Sequence, residues 1–189
     1  FNYFDARLET NEFKKRNKYH SNIIKNLNKQ REFEKNKRII IVREQGVGDE
    51  ILFSSIYNDL IKKNISKIKI ECDNRLLEIF KRSFNKNIFY PFGHYSSSNK
   101  TLQEFDSILY AGSLTKYFRN KENEFNIKPY IKTSEKIDKK FNSILNNFND
   151  KKKIGISWKS VLNIFGDLKS LELNDFKNLY TQDRAFFNL

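Results

Sequence analysis

The chain has 189 residues, a formal net charge of +13, one cysteine and no methionine. That length suits one good domain or one and a half small ones, and the single cysteine, Cys72, excludes an internal disulfide and any zinc site built on cysteine pairs. No stretch approaches the roughly 20 apolar residues of a membrane helix, and nothing resembles a signal peptide, so a cytoplasmic protein without a transmembrane segment is expected. A chain that opens on Phe1 and lacks methionine reads as an internal piece of something longer. The charge has two readings, a polyanion partner or a solvated basic surface. The lysines run along the whole chain rather than along one element, which favours the second.

Residues 1–36 read as a helical, highly charged arm or linker. Phe1, Phe4 and Leu8 recur at helical spacing, as do Ile23, Ile24 and Leu27. The segment carries too few apolar residues to fold alone, so it reads as an arm packing on the domain C-terminal to it or as the tail of an upstream module. His20 lies in this arm and is expected to face solvent.

From residue 37 to residue 133 the pattern is that of an α/β domain. Arg38-Ile39-Ile40-Ile41-Val42-Arg43 is a β-branched run of the kind buried on both faces of a parallel sheet. A glycine loop comes next, and then Ile51, Leu52, Ser55, Ile56, Leu60 and Ile61 predict one side of a helix. Lys67 to Cys72 predicts a second strand. Asp73 is a candidate N-cap for a helix whose Leu76, Leu77, Phe80 and Phe84 share a face. Residues 87–90 predict a third strand, residues 91–104 a loop, and Ser107 to Tyr110 a fourth strand. Such alternation implies right-handed crossovers and a Rossmann-like parallel sheet.

Residues 134–150 predict a connecting helix carrying Ile137, Phe141, Ile144, Leu145 and Phe148. Lys153 to Trp158 then predicts a buried strand that opens a second Rossmann-like domain, 151–189, with a further helix at 172–180. One such unit cannot bury its own faces, so this domain reads as truncated.

Ligands of open parallel sheets bind beyond the carboxyl ends of the strands. Gly46 and Gly48 fall there, ahead of a helix N-terminus that offers free N–H groups. Asp49 and Glu50 sit on its first turn, and Asp49 reads either as a helix cap or as a binding or catalytic group. A phosphate-binding P-loop is excluded, because its Gly-Lys-Ser/Thr ending is absent. A dinucleotide fingerprint lacks its third glycine, since Ile51 stands there, although Glu71 imitates the ribose-binding acid. Asp49 would also set a negative charge against the pyrophosphate.

Arg43-Glu44-Gln45-Gly46-Val47-Gly48-Asp49-Glu50-Ile51-Leu52-Phe53 resembles the first loop of the glycosyltransferase family 9-like domains that follow tetratricopeptide repeats and are related to heptosyltransferases. Further matches come in order: Tyr3 to Leu8, Glu71 to Leu76, Gly112-Ser113-Leu114, Pro129-Tyr130-Ile131, Gly155 to Ser160 and Lys169-Ser170-Leu171. The last ten residues, from Tyr180, match poorly and read as an artificial or frameshifted end.

The resemblance implies a GT-B architecture of two Rossmann-like domains. It implies sugar transfer from a nucleotide-sugar donor, with inversion, no essential metal and no cofactor beyond that substrate. Asp49 occupies the place of the base, and Gln45, Gly46, Gly48 and Glu50 form the acceptor-side loop. Lys159, Ser160, Lys169 and Ser170 are candidates for the donor phosphates. The acceptor is a saccharide, a lipid-linked glycan or a protein side chain, and upstream repeats would bring protein partners. The fragment alone is expected to be inactive. The competing expectation is a degenerate, non-catalytic binding module attached to the repeats. Nucleic acid is disfavoured, because the clustered basic and aromatic motif of an RNA-binding fold is missing.

Trp158 reads as a core anchor or as a stacking platform, Cys72 as a buried strand residue, and His94 as a loop residue near the rim of the site. No His, Cys and acid grouping has metal spacing, and no Ser-His-Asp arrangement can be read.

Overall fold

The structure, a computed structural model, describes residues 3–20, 37–63, 67–84, 87–94, 105–125, 128–160 and 166–189. The chain divides into two compact units, Phe1–Thr133 and Ser134–Leu189.

The first unit is built on four parallel strands: β1 (Arg38–Val42), β2 (Lys67–Cys72), β3 (Phe89–Pro91) and β4 (Ser107–Tyr110). Their order is β3-β2-β1-β4. The chain therefore moves outward from β1 to β3 and returns to β1's other side with β4. That places the reversal of strand order between β1 and β4, where open α/β sheets hold their ligands. Ile39 pairs with Ile68 and Ser107, and Ile41 with Ile70 and Leu109.

Alternate residues of β1 feed two cores. Ile39 and Ile41 join Ile70, Cys72 and Leu109 under the helices, where Phe53, Ile56, Tyr57, Leu60, Leu76, Phe80 and Phe84 are buried. These come from α2 (Val47–Ser54), α3 (Tyr57–Lys62), α4 (Leu77–Phe84) and the turns joining them. Ile40 and Val42 face the other way and meet Phe13, Phe105, Ile108 and Tyr110, with Leu8 and Tyr19 packed alongside. Phe13, Leu8 and Tyr19 belong to the arm, which contains a 3-10 helix (Phe4–Glu9) and α1 (Asn11–Arg16), capped by the Thr10 hydroxyl accepting from Phe13 N–H. The arm is thus the second layer that makes β1 a strand buried on both faces. Phe1, Ile23, Ile24 and Leu27 lie outside the described residues.

The helix face after the loop departs from expectation. Ile51 and Leu52 are 38% and 66% exposed, whereas Phe53, Ile56, Tyr57 and Leu60 are buried. The helix breaks at residues 55–56, and the i, i+3, i+4, i+7 set that begins at Phe53 takes the core.

The second unit contains α6 (Glu135–Leu145), capped by the Ser134 hydroxyl accepting from Ile137 N–H, and two parallel strands, β5 (Lys152–Ile156) and β6 (Arg184–Asn188). The short α5 (Thr115–Phe118) belongs to the first unit. The sequence predicts a buried β5, yet this strand alternates between exposed and half-buried residues. Among the described residues a 3-10 segment, Leu173–Leu179, stands in place of the expected helix, and neither it nor α6 contributes a buried residue. β6 falls in the last ten residues, where the sequence pattern suggests no element.

Candidate functional site at the carboxyl edge of the sheet

The loop leaving β1 takes its sharp turn at Gln45, whose φ is +60°, and not at either glycine. Gly46 has φ −99° and serves as N-cap of α2. A left-handed glutamine costs about 1 kcal/mol or more. A Cβ on Gly48 would meet nothing within 4 Å, and one on Gly46 would touch only Asp49 Oδ2, at 3.6 Å. The protein's own packing therefore does not demand these two glycines, which leaves open space above the backbone at the loop.

Three carboxylates on this loop have different fates. Glu44 is buried and accepts a two-pronged ion pair from Arg7 of the arm, with Nε to Oε2 at 3.0 Å and Nη2 to Oε1 at 2.8 Å. It also accepts from Gly112 N–H, beyond β4. This closes the reversal point between β1 and β4 with the chain's own side chains. Gly112 is a glycine that sterics require at this site, since a Cβ there would fall 2.6 Å from Glu44 Oε1 and 2.8 Å from Arg7 Nη2. Asp5 extends the clasp. It accepts from the Ser113 hydroxyl at 2.6 Å and pairs with Lys116 at 2.8 Å.

Glu50 is buried as well, taking Arg43 Nε at 2.5 Å and Asp73 N–H at 2.8 Å. Burial pushes its carboxyl above the usual carboxylate value, while Asp73 N–H and the Arg43 guanidinium oppose that push. Asp73 lies well below its usual value because the Arg75 side chain donates to it.

Asp49 is half-buried, and among the described residues its hydrogen bond is from Gly46 N–H, at 3.1 Å to Oδ2. That is the reach-back half of a capping box. It leaves Asp49 as the loop carboxylate without a cationic partner among the described residues. Asp49, Gln45 and Gly46 line a pocket of about 330 Å³ with Arg43, Glu44, Phe92 and, from the arm, Asn17, Tyr19 and His20. Arg43 to Gln45 follow β1 and Phe92 follows β3, so the pocket lies at the carboxyl edge of the sheet.

His20 is not solvent-facing, as the arm's charge suggests, but buried. Its Nε2 lies 2.5 Å from Glu71 Oε2, and Glu71 also accepts from Gly93 N–H at 3.3 Å. The rings of Tyr19, Phe92 and Tyr110 stand 5.3, 5.7 and 6.1 Å from its own. A carboxylate at the end of a buried strand needs a charged or hydrogen-bonding partner, and His20 meets that need across 51 residues of chain. That demand was the available signal for His20. Glu71, the candidate ribose-binding acid, is thereby engaged. His94 is exposed, with its ring 5.0 Å from that of Tyr90. Cys72 is fully buried.

In the second unit, Ser160 N–H donates to Ser170 Oγ at 3.0 Å, and the Ser170 hydroxyl donates to Gly166 O at 2.7 Å. Leu171 N–H reaches Trp158 O at 2.8 Å. The two serines therefore share one polar turn. Lys159 is exposed and faces Glu172 at 3.9 Å, and Lys169 is exposed in a 3-10 turn. Trp158 is half-buried.

Among the described residues no group of His, Cys, Asp or Glu is placed to hold a metal ion, and no helix is long and apolar enough to cross a membrane. No family model, curated protein or solved structure matches the chain.

Proposed function

We propose that this chain belongs to a GT-B glycosyltransferase that moves a sugar from a nucleotide-sugar donor to a hydroxyl acceptor. The observation that carries the reading is Asp49. It is a carboxylate at the mouth of a parallel sheet, lining a pocket, with its neighbours Glu44 and Glu50 already taken by Arg7 and Arg43. In the reaction Asp49 removes the acceptor hydroxyl proton as that oxygen attacks the anomeric carbon. The bond to the donor diphosphate breaks with inversion. The departing diphosphate needs cations and N–H donors, a role assigned to Lys159, Ser160, Lys169 and Ser170 without an essential metal.

A positioned base contributes roughly 10²–10⁴-fold. Asp49→Asn in the full-length protein should therefore abolish measurable transfer from a nucleotide-sugar while the far-ultraviolet dichroism stays unchanged. Undiminished turnover would remove Asp49 as the base.

One observation favours a non-catalytic binding module instead: Arg7 fills the reversal point of the sheet, where a ligand would otherwise enter. Under that reading, calorimetric titration of the full-length protein with nucleotide-sugars gives no heat of binding.

A further inference from the structure

The pocket beside Asp49 also carries information about the acceptor. Each of its other ionisable groups already has a partner. The Arg43 guanidinium is held by Glu50 at 2.5 Å and stands 3.6 Å from Asp73. Glu44 takes the two-pronged pair from Arg7, and His20 lies against Glu71. Asp49 remains, so the described lining of the pocket carries an unmatched negative charge on a chain of net charge +13. Among the described residues no lysine lines it. An entering phosphate or carboxylate would meet Asp49 with no unmatched cation among the described residues to answer it, and like charges across a partly dehydrated space repel strongly.

The rest of the lining suits an uncharged ring. Phe92 is 44% exposed, so part of its ring stays open to the pocket although the Arg43 guanidinium stands 5.1 Å from its centroid and the Tyr19 ring 5.4 Å away. The exposed Gln45 brings an amide that can meet hydroxyl groups. The volume, about 330 Å³, lies at the lower end of small-molecule sites and fits one ring better than a chain.

We propose that the acceptor is a neutral, hydroxyl-bearing sugar unit seated on Phe92, and that the pocket discriminates against anionic sugars through Asp49. This rests on the transferase reading above and adds a substrate class to it.

The test is saturation-transfer NMR on the full-length protein with matched pairs: the methyl glycosides of glucose, galactose, mannose and N-acetylglucosamine, each against its 6-phosphate. At least one neutral member should bind at least about tenfold more tightly than its phosphate. Asp49→Asn should narrow that ratio while retaining the neutral sugar. Phe92→Ala should weaken the neutral sugar about three- to tenfold. Equal or tighter binding of the phosphates, or binding of neither member of any pair, overturns the proposal. Transfer onto an anionic acceptor by the same preparation would sink this inference while leaving the transferase reading intact.

Discussion

Replacing Arg7 with alanine tests whether the arm is part of the domain or merely rests on it. Arg7 is 14% exposed and its partner Glu44 is fully buried. The guanidinium also lies 4.1 Å above the Phe4 ring. Removing one member of a buried pair leaves the other charge uncompensated and costs about 3–5 kcal/mol, against about 0–1 kcal/mol for a surface pair. That loss is a large share of the roughly 5–15 kcal/mol that holds a domain folded. Glu44→Gln on the Arg7→Ala background should recover part of it, because an amide oxygen still accepts from Gly112 N–H without needing a cation. The assay is urea unfolding with two optical probes. The single tryptophan, Trp158, reports on the second unit, while tyrosine emission comes mainly from the first. Arg7→Ala should shift the tyrosine transition and leave the tryptophan transition in place. A loss below about 1 kcal/mol, or strict additivity in the double mutant, would refute a clasp between the arm and the site loop.

Gly112→Ala should destabilise the first unit by about 1–3 kcal/mol, since its Cβ would sit 2.6 Å from Glu44 Oε1, whereas Gly48→Ala, with nothing within 4 Å, should leave urea midpoints nearly unchanged. The Arg38 side chain and its backbone N–H hold Asp106 below its ordinary 3.8, at about 2. A lowered carboxylate stabilises above the unfolded value and loses that contribution as pH falls through the folded one. Wild type and Asp106→Asn should therefore differ above pH 3.8 and converge near about pH 2 in acid titrations followed by dichroism. Burial pushes the Cys72 thiol up to about 12, so a maleimide should label it at mildly alkaline pH only after unfolding.

The parallel sheet was legible because strands covered on both faces must be apolar almost throughout. Ile39-Ile40-Ile41-Val42 and Ser107 to Tyr110 announce themselves that way. The cover of the second face was less legible. Leu8 and Phe13 sit among lysines and arginines, and their burial depends on Ile40, Val42 and Tyr110. Helical spacing misled where two apolar residues, Ile51 and Leu52, precede the true face, because periodicity alone does not say where a helix will break. The pocket's first wall, Gln45, Gly46 and Asp49, could be read from a short stretch after a strand. Its second wall could not. His20 finds Glu71 across 51 residues and Arg7 finds Glu44 across 37, and no local pattern encodes such pairings.

The same pairings explain why the site loop holds an unfavourable backbone. Gln45 keeps a left-handed φ between two anchored neighbours. On one side Glu44 is tied to Arg7 and Gly112, and on the other Gly46 N–H is tied to Asp49. Strain of this kind persists when the surroundings over-determine it. Here the determinants come from three separate parts of the chain: the arm, the turn after β4 and the first turn of α2. The arm therefore does two jobs with one docking. It covers the second face of the sheet through Phe13, and through Arg7 it fixes the residue next to the strained turn. If Arg7 lets go, Glu44 must find water, Gln45 can relax, and Asp49 loses the backbone N–H that orients it. The base proposed above would have to meet an acceptor hydroxyl within hydrogen-bond reach, and that role does not tolerate such drift. The arm's hold on Glu44 and the geometry at Asp49 are one structural property, and a change to either should be felt at both.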